Sequence, residues 1–363
     1  MKHDWKYIKL GDIISPAKVV RNGANKKFPV LSITMRDGIV FQSSRFKKSI
    51  ASVDTSDYKV VYNGQLVIAF PIDEGLIYTQ DIVDAGIMSP AYNVWNVDFL
   101  EIDRKFLVLY LHCPFSMAYY KSKLRGTTMR RRSMPKEDLL NMPLPVPSFS
   151  VQQSIVSELD KINELIRLKK EQLNDYDKLS QSIFYEMFGD PVVNEQGWEV
   201  KKFADLYKLK SGDSLSTKNF VEGEIPVYGG NGISGYHNDF NMDGDFIIIG
   251  RVGVYCGNVR EVHGKFWLTD NAFQLFYNRE IQYPCFIHYL LEILDLHQYA
   301  NAAAQPVISN LTLKDVEIII PPLALQKLFA QRIELIERQK AEIQNTIADL
   351  ETLLASRMQY WFD

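Results

Sequence analysis

Cysteine is scarce in this sequence. The three cysteines among 363 residues, Cys113, Cys256 and Cys285, stand far apart and form no Cys-x-x-Cys pair. This distribution argues against a disulfide framework or a zinc site and fits a reducing compartment. The first residues, MKHDWKYIKLGD, lack the apolar segment of a secretory signal, and no run of apolar residues is long enough to span a membrane. We therefore expect a soluble, cytoplasmic protein.

Sequence motifs of common enzymes are also missing. There is no GxxxxGK[ST] phosphate loop, no HExxH, no Asn/Asp-Pro-Pro-aromatic stretch of an adenine methyltransferase, and no pair of histidines at metal-ligand spacing. Two acidic pairs occur, Asp73 with Glu74 and Asp243 with Asp245, but turns use such residues routinely. We expect no catalytic residue and no metal ligand in this chain.

One glycine motif needs a separate test. Residues 228–237, YGGNGISGYH, place Gly230, Gly232 and Gly235 at the spacing of a dinucleotide-binding turn. Such a turn lies between a strand and a helix. Residues 225–228 can form the strand, but the following NDFNMDGD cannot start a helix. The pattern therefore favours a flexible surface loop over a cofactor site.

The composition is that of a folded protein without strong overall charge. Apolar residues make up 46% and aromatic residues 12%, which is enough to bury sizeable cores. The formal net charge is −3, so a surface that binds nucleic acid would have to be local.

The chain contains an internal repeat. MPLPVP at 142–147 and VEIIIP at 316–321 each precede a long helical stretch, and aligning Pro147 with Pro321 extends without gaps to Phe188 and Phe362. The front halves match more loosely, as in NGQLVIA at 63–69 and DGDFIII at 243–249. The predicted domains are a globular body at 1–147, a long helix at 148–189, a second body at 190–321 and a second long helix at 322–363. Gly189 and Pro191 should end the first helix.

Both helical stretches carry a heptad pattern that predicts a coiled coil. The predicted seam consists of Ile155, Leu159, Ile162, Ile166, Leu173 and Tyr176 in the first helix and Ile333, Ile336, Ile343, Ile347 and Leu350 in the second. The polar interruptions are Lys169, Ser180, Lys340 and Arg357. They either fix the register or extend along the edge of the seam.

The repeat also predicts the architecture. Two similar halves that pack through their helices are most simply related by a pseudo-twofold axis, which makes the helices antiparallel. A helix of roughly 38 residues is about 57 Å long and would hold the two bodies at opposite ends. Each body is rich in β-type residues and closes with an apolar helix. We therefore predict an α+β fold with two mixed α/β bodies, each with a largely antiparallel sheet, separated by two long antiparallel coiled-coil helices.

A basic run precedes the first helix. KSKLRGTTMRRR at 121–132 contains six basic residues and no acid, whereas the equivalent YANAAAQPVIS at 299–309 has no basic residue. The run is either a solvated charged surface or a contact to nucleic-acid phosphates. The predicted DNA contacts are Arg45, Lys47, Lys48, Lys121, Lys123, Arg125, Thr127, Thr128, Arg130, Arg131 and Arg132 in the first half, and Lys210, Thr217, Lys218, Asn231, Tyr236, His237 and Arg251 in the second.

Over its whole length the sequence resembles the DNA-specificity subunit of type I restriction–modification systems. The resemblance rests on GDFIIIGRVGVYCGNV with FWLTDNAFQLF, and on LKDVEIIIPPLALQ leading into a long helix. The first half repeats the layout as EDLLNMPLPVPSFSVQQ and a helix that ends in MFGDP before a Gly-Trp. The sequence departs from the family at Val151 and Leu325, where the family often has Glu, so the expected helix-start capping is missing.

The resemblance implies a non-catalytic recognition subunit. Each body would be a target-recognition domain for one part of an asymmetric, bipartite DNA site, and the paired helices would set the gap between the parts. One copy would assemble with two methyltransferase subunits and two motor–endonuclease subunits. S-adenosylmethionine, ATP and Mg²⁺ would bind to those partners, with no cofactor in this chain. The glycines at 230–235 would then form a loop that approaches DNA.

Two other functions remain open from the residues alone. One is a protein-binding coiled-coil scaffold without sequence-specific DNA binding, which would show no salt-sensitive binding to DNA. The other is a fused methyltransferase or nuclease. That enzyme would need an additional catalytic domain, and no unassigned segment of that size is present.

Overall fold

The computed structural model describes residues 5–23, 28–35, 37–45, 54–125, 133–301 and 305–362, without the side chain of Arg45. The chain divides into two compact units. The first unit comprises Met1–Lys169 and Thr346–Asp363, and the second comprises Lys170–Asn345. Two long helices, α5 (Phe149–Phe188) and α9 (Leu323–Phe362), each contribute a segment to both units.

The first unit is built on short antiparallel strands. They are β1 (Lys6–Lys9), β2 (Ile14–Pro16), β3 (Leu31–Thr34), β4 (Gly38–Phe41), β5 (Lys59–Tyr62), β6 (Leu66–Ile68), β7 (Ile77–Thr79), β8 (Ala85–Met88), β9 (Asn93–Val97) and β10 (Pro143–Val146). Its short helices are α1 (Gln42–Arg45), α2 (Arg104–Leu111), α3 (Pro114–Lys123) and α4 (Lys136–Leu140). The described strands form one sheet of order β2-β9-β6-β7 and the pairs β1-β10, β3-β4 and β5-β8.

The second unit has a larger sheet. Its strands are β11 (Glu199–Lys202), β12 (Lys208–Ser211), β13 (Ile225–Gly229), β14 (Gly232–His237), β15 (Met242–Gly250), β16 (Val259–Leu268), β17 (Ala272–Phe276) and β18 (Glu317–Ile320). Its short helices are α6 (Phe203–Leu206), α7 (Pro284–Ile293) and α8 (Asn310–Leu313). The sheet order is β12-β17-β15-β16-β13-β14, in which β13 and β16 run parallel and the other neighbours antiparallel. The predicted α+β class is confirmed.

The repeat is visible in the strand pair at the base of each long helix. β1 pairs with β10 immediately before α5, and β11 pairs with β18 immediately before α9. These pairs bring together the beginning of each body and the strand that leads into its helix. β1 and β11 are therefore equivalent in structure, as are β10 and β18, whereas the sheets between them differ in size and order.

An apolar helix closes each body, as predicted. In α2, Phe106, Leu107, Tyr110 and Leu111 are buried, and the side chain of Asp103 caps the helix by accepting from the N–H groups of residues 105 and 106. In α7 the buried residues are Phe286, Ile287, Leu290 and Leu291. Each helix packs into the core of its own unit.

The long helices are 40 residues each, and their bounds lie close to the predicted ones. α5 ends at Phe188, and Gly189 follows with φ of 73°, a left-handed conformation that suits glycine at a helix end. Of the predicted seam, Ile155, Leu159, Ile162, Ile166, Ile333, Ile336, Ile343 and Ile347 are buried, and Leu173, Tyr176 and Leu350 are half-buried. The compact units divide both helices near the middle, so each helix packs with both globular bodies in turn rather than forming a separate domain.

The helix segments are antiparallel within the second unit. Lys340 Nζ lies 2.8 Å from Asp177 Oδ1, and Arg332 Nη1 lies 3.9 Å from Glu186 Oε1, so positions rise along one helix as they fall along the other. Burial lowers the pKa of Lys340, but hydrogen bonds to Asp177 and Glu337 outweigh it and raise the pKa above its usual value. The polar interruption at Lys340 is therefore a charged contact between the helices.

The first unit contains the complementary pair of segments. Arg357 of α9 forms an ion pair with Glu158 of α5, and Phe362 packs against Phe106 of α2 with ring centroids 5.6 Å apart. Trp361 Nε1 also donates a hydrogen bond to Glu158 at 3.0 Å. The interruption at Arg357 is, like that at Lys340, paired with a carboxylate on the other helix, which favours a role in register over extension into solvent.

A buried glutamine joins each body to its long helix. Gln152 Oε1 accepts a hydrogen bond from the N–H of Asp103 at 2.6 Å, and its amide donates to the carbonyls of Glu101 and Pro147. Gln326 makes the same three contacts in the second unit, with the N–H of residue 283 and the carbonyls of residues 281 and 321. Both side chains are fully buried. Asp103 is the N-cap residue of α2, and Tyr283 is the N-cap residue of α7. Each glutamine therefore connects the start of the closing helix to the long helix that carries the glutamine.

Among the described helices, none combines the length and apolar character that crossing a bilayer requires.

Candidate nucleic-acid interface

The basic run of the first unit begins at the end of α3. Lys121 is exposed there, whereas Lys123 and Arg125 both face Asp138. Lys123 Nζ lies 3.6 Å from Asp138 Oδ1, and Arg125 Nη2 lies 3.3 Å from Asp138 Oδ2. The run itself contains no acid, so the sequence pattern overstated its free charge: α4 supplies a carboxylate that partly balances two of its residues.

Several predicted contacts lie outside the described residues. They are Lys47, Lys48, Thr127, Thr128, Arg130, Arg131 and Arg132, together with the side chain of Arg45. The segment 126–132 is flanked by Arg125 and Ser133, which exchange two backbone hydrogen bonds of 3.1 Å. The chain therefore enters and leaves this segment at one place on the first unit.

The glycine motif of the second unit forms a β-hairpin. Gly229 at the end of β13 pairs with Gly232 at the start of β14, with Gly230 and Asn231 between them. A Cβ on Gly230 would lie 2.7 Å from the carbonyl oxygen of Val252, and Gly232 has φ of 96°. The predicted flexible loop is wrong. Gly232 and Gly235 lie within strand β14, where a dinucleotide site needs a helix, and close contacts with Val252 and Phe220 require glycine at 230 and 235.

His237, at the end of this hairpin, does not present its ring to a ligand. The side chain is 7% exposed, and Nδ1 accepts a hydrogen bond from the N–H of Val221 at 3.0 Å. The ring also packs edge-on against Trp267. His237 therefore connects β14 to the preceding segment, and its predicted contact with DNA is corrected to a structural role, because the sequence pattern did not show that it is buried.

Arg251 and Lys210 lie close together at one end of the sheet. Arg251 Nη1 donates to Ser211 Oγ at 3.2 Å and to the carbonyl of Asp270 at 3.3 Å, and the guanidinium lies 5.5 Å from the ring centroid of Phe273. Lys210, next to Ser211 on β12, is exposed. Arg251 is thus half-buried and orients its neighbours, while Lys210 is available to a ligand.

The remaining predicted contacts of the second unit lie on and beside the hairpin. Asn231 is exposed at the turn, and Tyr236 is 55% exposed on β14. Thr217 and Lys218 are exposed on a short 3₁₀ helix, Thr217–Asn219. Phe220 attaches this segment to β14, since a Cβ on Gly235 would lie 2.4 Å from its ring. The contact of Phe220 places Thr217 and Lys218 beside the end of β14 that carries Tyr236, whereas Asn231 lies at the turn of the hairpin.

A family model describes most of the chain. The model for the type I restriction modification DNA specificity domain matches residues 2–175 and again residues 195–352. The chain belongs to the type I restriction–modification DNA specificity family. The two matches also confirm the duplicated layout that the sequence repeat predicted.

Curated members of this family share moderate identity with the chain. It is 29% identical over 241 residues to the specificity subunit of the type I restriction enzyme EcoprrI of Escherichia coli, a match that covers 62% of this chain and 58% of that protein. It is 28% identical over 201 residues to a putative type I specificity subunit of Mycoplasma pneumoniae, S.MpnORF201P, covering 53% of this chain and 82% of the relative. The first match thus spans little more than half of the curated relative.

Two solved structures share the fold. The S subunit of a type I restriction–modification system from M. genitalium matches with a TM-score of 0.56 at 15% identity, covering 100% of this chain and 97% of that one. A chain from a structure that concerns complex assembly and conformational transition of the type I R-M system matches with a TM-score of 0.60 at 18% identity, covering 99% and 97%. At this identity the likeness establishes the fold of this specificity-family chain.

Two exposed apolar residues of the second unit were missed by the sequence analysis. Val254 is 77% exposed and Tyr255 is 53% exposed, in the turn between β15 and β16. Gly253 and Gly257 flank them with φ of 90° and 92°. Both side chains are therefore open to contact from outside the chain. The signal in the sequence was GVYCG, in which Val254 and Tyr255 stand with Cys256 between two glycines.

A groove in the second unit is lined by both acidic and basic side chains. Two adjoining cavities of about 880 and 1,010 Å³ share Glu261, His263, Cys285, Ile333 and Glu337 as lining residues. Burial raises the pKa of Glu261. Arg260, Arg279, Lys327 and Lys340 line the same cavities, so the groove carries charges of both signs. Among the described residues, no group of three His, Cys, Asp or Glu side chains is arranged to hold a metal ion.

Proposed function

We propose that this chain is the non-catalytic specificity subunit of a type I restriction–modification complex and recognises an asymmetric, bipartite DNA sequence. The observation that supports this most directly is the duplicated body-and-helix layout in a member of the specificity family. The bodies differ in sheet order and in the position of their exposed basic residues. Each body therefore reads a different half of the site, since identical bodies would favour a palindrome.

The long helices set the gap between the two halves of the site. A helix of 40 residues is about 60 Å long, which exceeds the ~34 Å of one turn of B-DNA. The helices and the adjoining surfaces also bind two methyltransferase subunits and two motor–endonuclease subunits, with one copy of this chain per complex. S-adenosylmethionine, ATP and Mg²⁺ bind to those subunits. The complex acts in the cytoplasm, where its DNA substrate is.

The DNA contacts come from exposed side chains of both units. In the second unit they are Lys210, Thr217, Lys218, Asn231 and Tyr236, and in the first they include Lys121. The basic side chains at 45–48 and 127–132 lie outside the described part of the structure and are proposed as contacts from the sequence alone. Lysine and arginine side chains supply phosphate contacts, and the exposed hairpin supplies contacts to base edges.

Co-expression with a type I methyltransferase subunit, followed by genome-wide mapping of N6-methyladenine, tests the function. We expect one new bipartite motif with two short specified ends around a fixed gap. A matched strain that expresses the methyltransferase alone should show no such motif. A soluble complex that adds no methylation, and whose binding to DNA does not depend on salt, would instead support a protein-binding scaffold.

A further inference from the structure

A small basic pocket lies in the first unit, outside every segment predicted to bind DNA. Its volume is about 250 Å³. It forms where the end of β2 and the following loop meet β5 and β9, and α4 begins at its rim. The lining residues are Pro16, Ala17, Lys18, Val19, Lys59, Val60, Asn93, Val94, Trp95 and Lys136.

The pocket carries positive charge without a carboxylate. Lys18, Lys59 and Lys136 line it, and no acidic residue does. Among the described residues, no carboxylate lies within ion-pair distance of any of the three ammonium groups, whereas Lys123 and Arg125 nearby in the chain share Asp138. Several like charges in one recess repel one another, and an anion relieves that repulsion.

The walls of the pocket add to this imbalance. Lys136 Nζ lies 5.5 Å from the centroid of the Trp95 ring, so the ring holds one ammonium group at the rim. Lys59 donates a hydrogen bond to the carbonyl of Tyr92, and burial together with the nearby Arg21 lowers its pKa. Trp95 Nε1 is buried and has no hydrogen-bond partner among the described residues. The pocket therefore presents ammonium groups and an unpartnered indole N–H, and no carboxylate to balance them.

We propose that Lys18, Lys59 and Lys136 form a binding pocket for one backbone phosphate of the DNA that the first unit recognises. The proposal rests on the proposed function and adds a phosphate contact to it. Lys136 lies three residues after Ser133, whose backbone pairs with that of Arg125. The pocket therefore lies close in the chain to the point where residues 125 and 133 meet. Ammonium groups bind phosphate as point charges, and such a contact positions the protein without reading sequence.

The test compares two double variants in the complex with the methyltransferase subunit. Lys18→Gln with Lys136→Gln removes two exposed charges of the pocket and leaves Lys59, which bonds to the backbone, in place. Lys6→Gln with Lys105→Gln is the matched control, because it removes two exposed charges from the same unit. We expect the pocket variant to bind DNA about three- to ten-fold more weakly at every sequence, with a salt slope lower by about 1, and the control to bind like the wild type.

Single methylphosphonate substitutions along the duplex identify the phosphate. In the wild-type complex, one neutral linkage beside the first half-site should weaken binding by the same factor as the pocket variant. In the variant, that linkage should have no further effect. Equal sensitivity of both complexes at every linkage would overturn the proposal while leaving specific DNA binding intact.

Two further outcomes distinguish a wrong pocket assignment from a wrong function. If the pocket variant fails to assemble with the methyltransferase, as judged by size-exclusion chromatography, the lysines bind an acidic protein surface and the phosphate pocket is wrong. If the wild-type complex shows no preference for any DNA sequence, the proposed function itself is wrong, whatever the pocket variant does.

Discussion

At the residue scale, two buried glutamines matter more than any exposed side chain for the position of the recognition bodies. Gln152 and Gln326 sit at equivalent points of the repeat and make equivalent contacts. Each satisfies three backbone groups that would otherwise be buried without a partner. Their presence in both halves shows that the repeat preserves the connection between body and helix, although the bodies themselves have diverged.

Replacing Gln152 with leucine should destabilise the chain by about 2–4 kcal/mol, because a buried N–H and two carbonyls lose their partner. Urea unfolding followed by circular dichroism measures the change. The adjacent exposed Gln153→Leu is the matched control and should change the free energy of unfolding by no more than about 0.5 kcal/mol. Equal effects of the two substitutions would contradict the structural role of Gln152.

The cysteines should react slowly in the folded chain. Burial, with the carboxylates of Glu261 and Glu337, raises the pKa of Cys285 to about 12, and burial also raises the pKa of Cys256. Because the thiolate is the reactive form, iodoacetamide at pH 8 should alkylate Cys285 at least about a hundred-fold more slowly than in urea, where its pKa is about 8.5. Mass spectrometry of the digested protein gives both rates. Labelling within minutes in the native chain would refute this expectation.

At the element scale, charged residues specify how the long helices pair. Polar interruptions of a heptad cost stability unless they find partners, and here Lys340 and Arg357 find them on the facing helix. Apolar seam residues of both helices fill the interface, but they can make similar contacts when one helix is shifted along the other. The ion pairs are not, because a shift along the helix separates the charges.

The pair of Glu158 and Arg357 should make the stability of the first unit depend on pH. The hydrogen bond from Arg357, with that from Trp361, lowers the pKa of Glu158 against the opposing effect of burial. A carboxyl group whose pKa is lower in the folded chain than in the unfolded chain stabilises the fold at pH values above its unfolded pKa of about 4.3. This stabilisation is lost as the pH falls through the pKa of the folded chain. Glu158→Gln should therefore destabilise the chain at pH 7 and lose less stability than the wild type on acidification.

Charge reversal provides the control for this pair. Arg357→Glu places two carboxylates together and should destabilise the chain, whereas Glu158→Arg combined with Arg357→Glu should recover part of the loss. Thermal unfolding at pH 7 compares the wild type, the single variants Glu158→Arg and Arg357→Glu, and the double variant. A double variant as unstable as the sum of the single ones would show that the two side chains do not interact.

At the scale of the whole molecule, the length of the helices should determine the gap between the two parts of the DNA site. Seven residues inserted after Lys169 and seven after Asn345 lengthen both helices while preserving the heptad phase. About 10 Å of added helix corresponds to at most about three base pairs of B-DNA. Mapping of N6-methyladenine should therefore return the same two half-sites with a longer gap.

A matched variant carries the seven-residue insertion in α5 alone. This shifts one helix of an antiparallel pair against the other, breaks contacts such as that of Lys340 with Asp177, and should abolish methylation rather than change the motif. An unaltered gap after the paired insertion would rule out the proposed spacing role of the helices.

The sequence by itself determined the family, the repeat, the α+β class and the bounds of the long helices. These features depend on periodic or local signals, such as the heptad of Ile155 to Tyr176 and the glycine at 189. Such signals can be read from residues that are close together in the sequence, without knowledge of tertiary contacts.

Only the tertiary structure decided the roles of individual side chains in the candidate interface. It gave His237 and Gly230 structural roles, placed Asp138 against the basic run, and brought Lys18, Lys59 and Lys136 into one pocket from three distant segments. The physical reason is that burial and pairing depend on contacts between residues far apart in the chain, and a charge or glycine pattern contains no record of what packs against it.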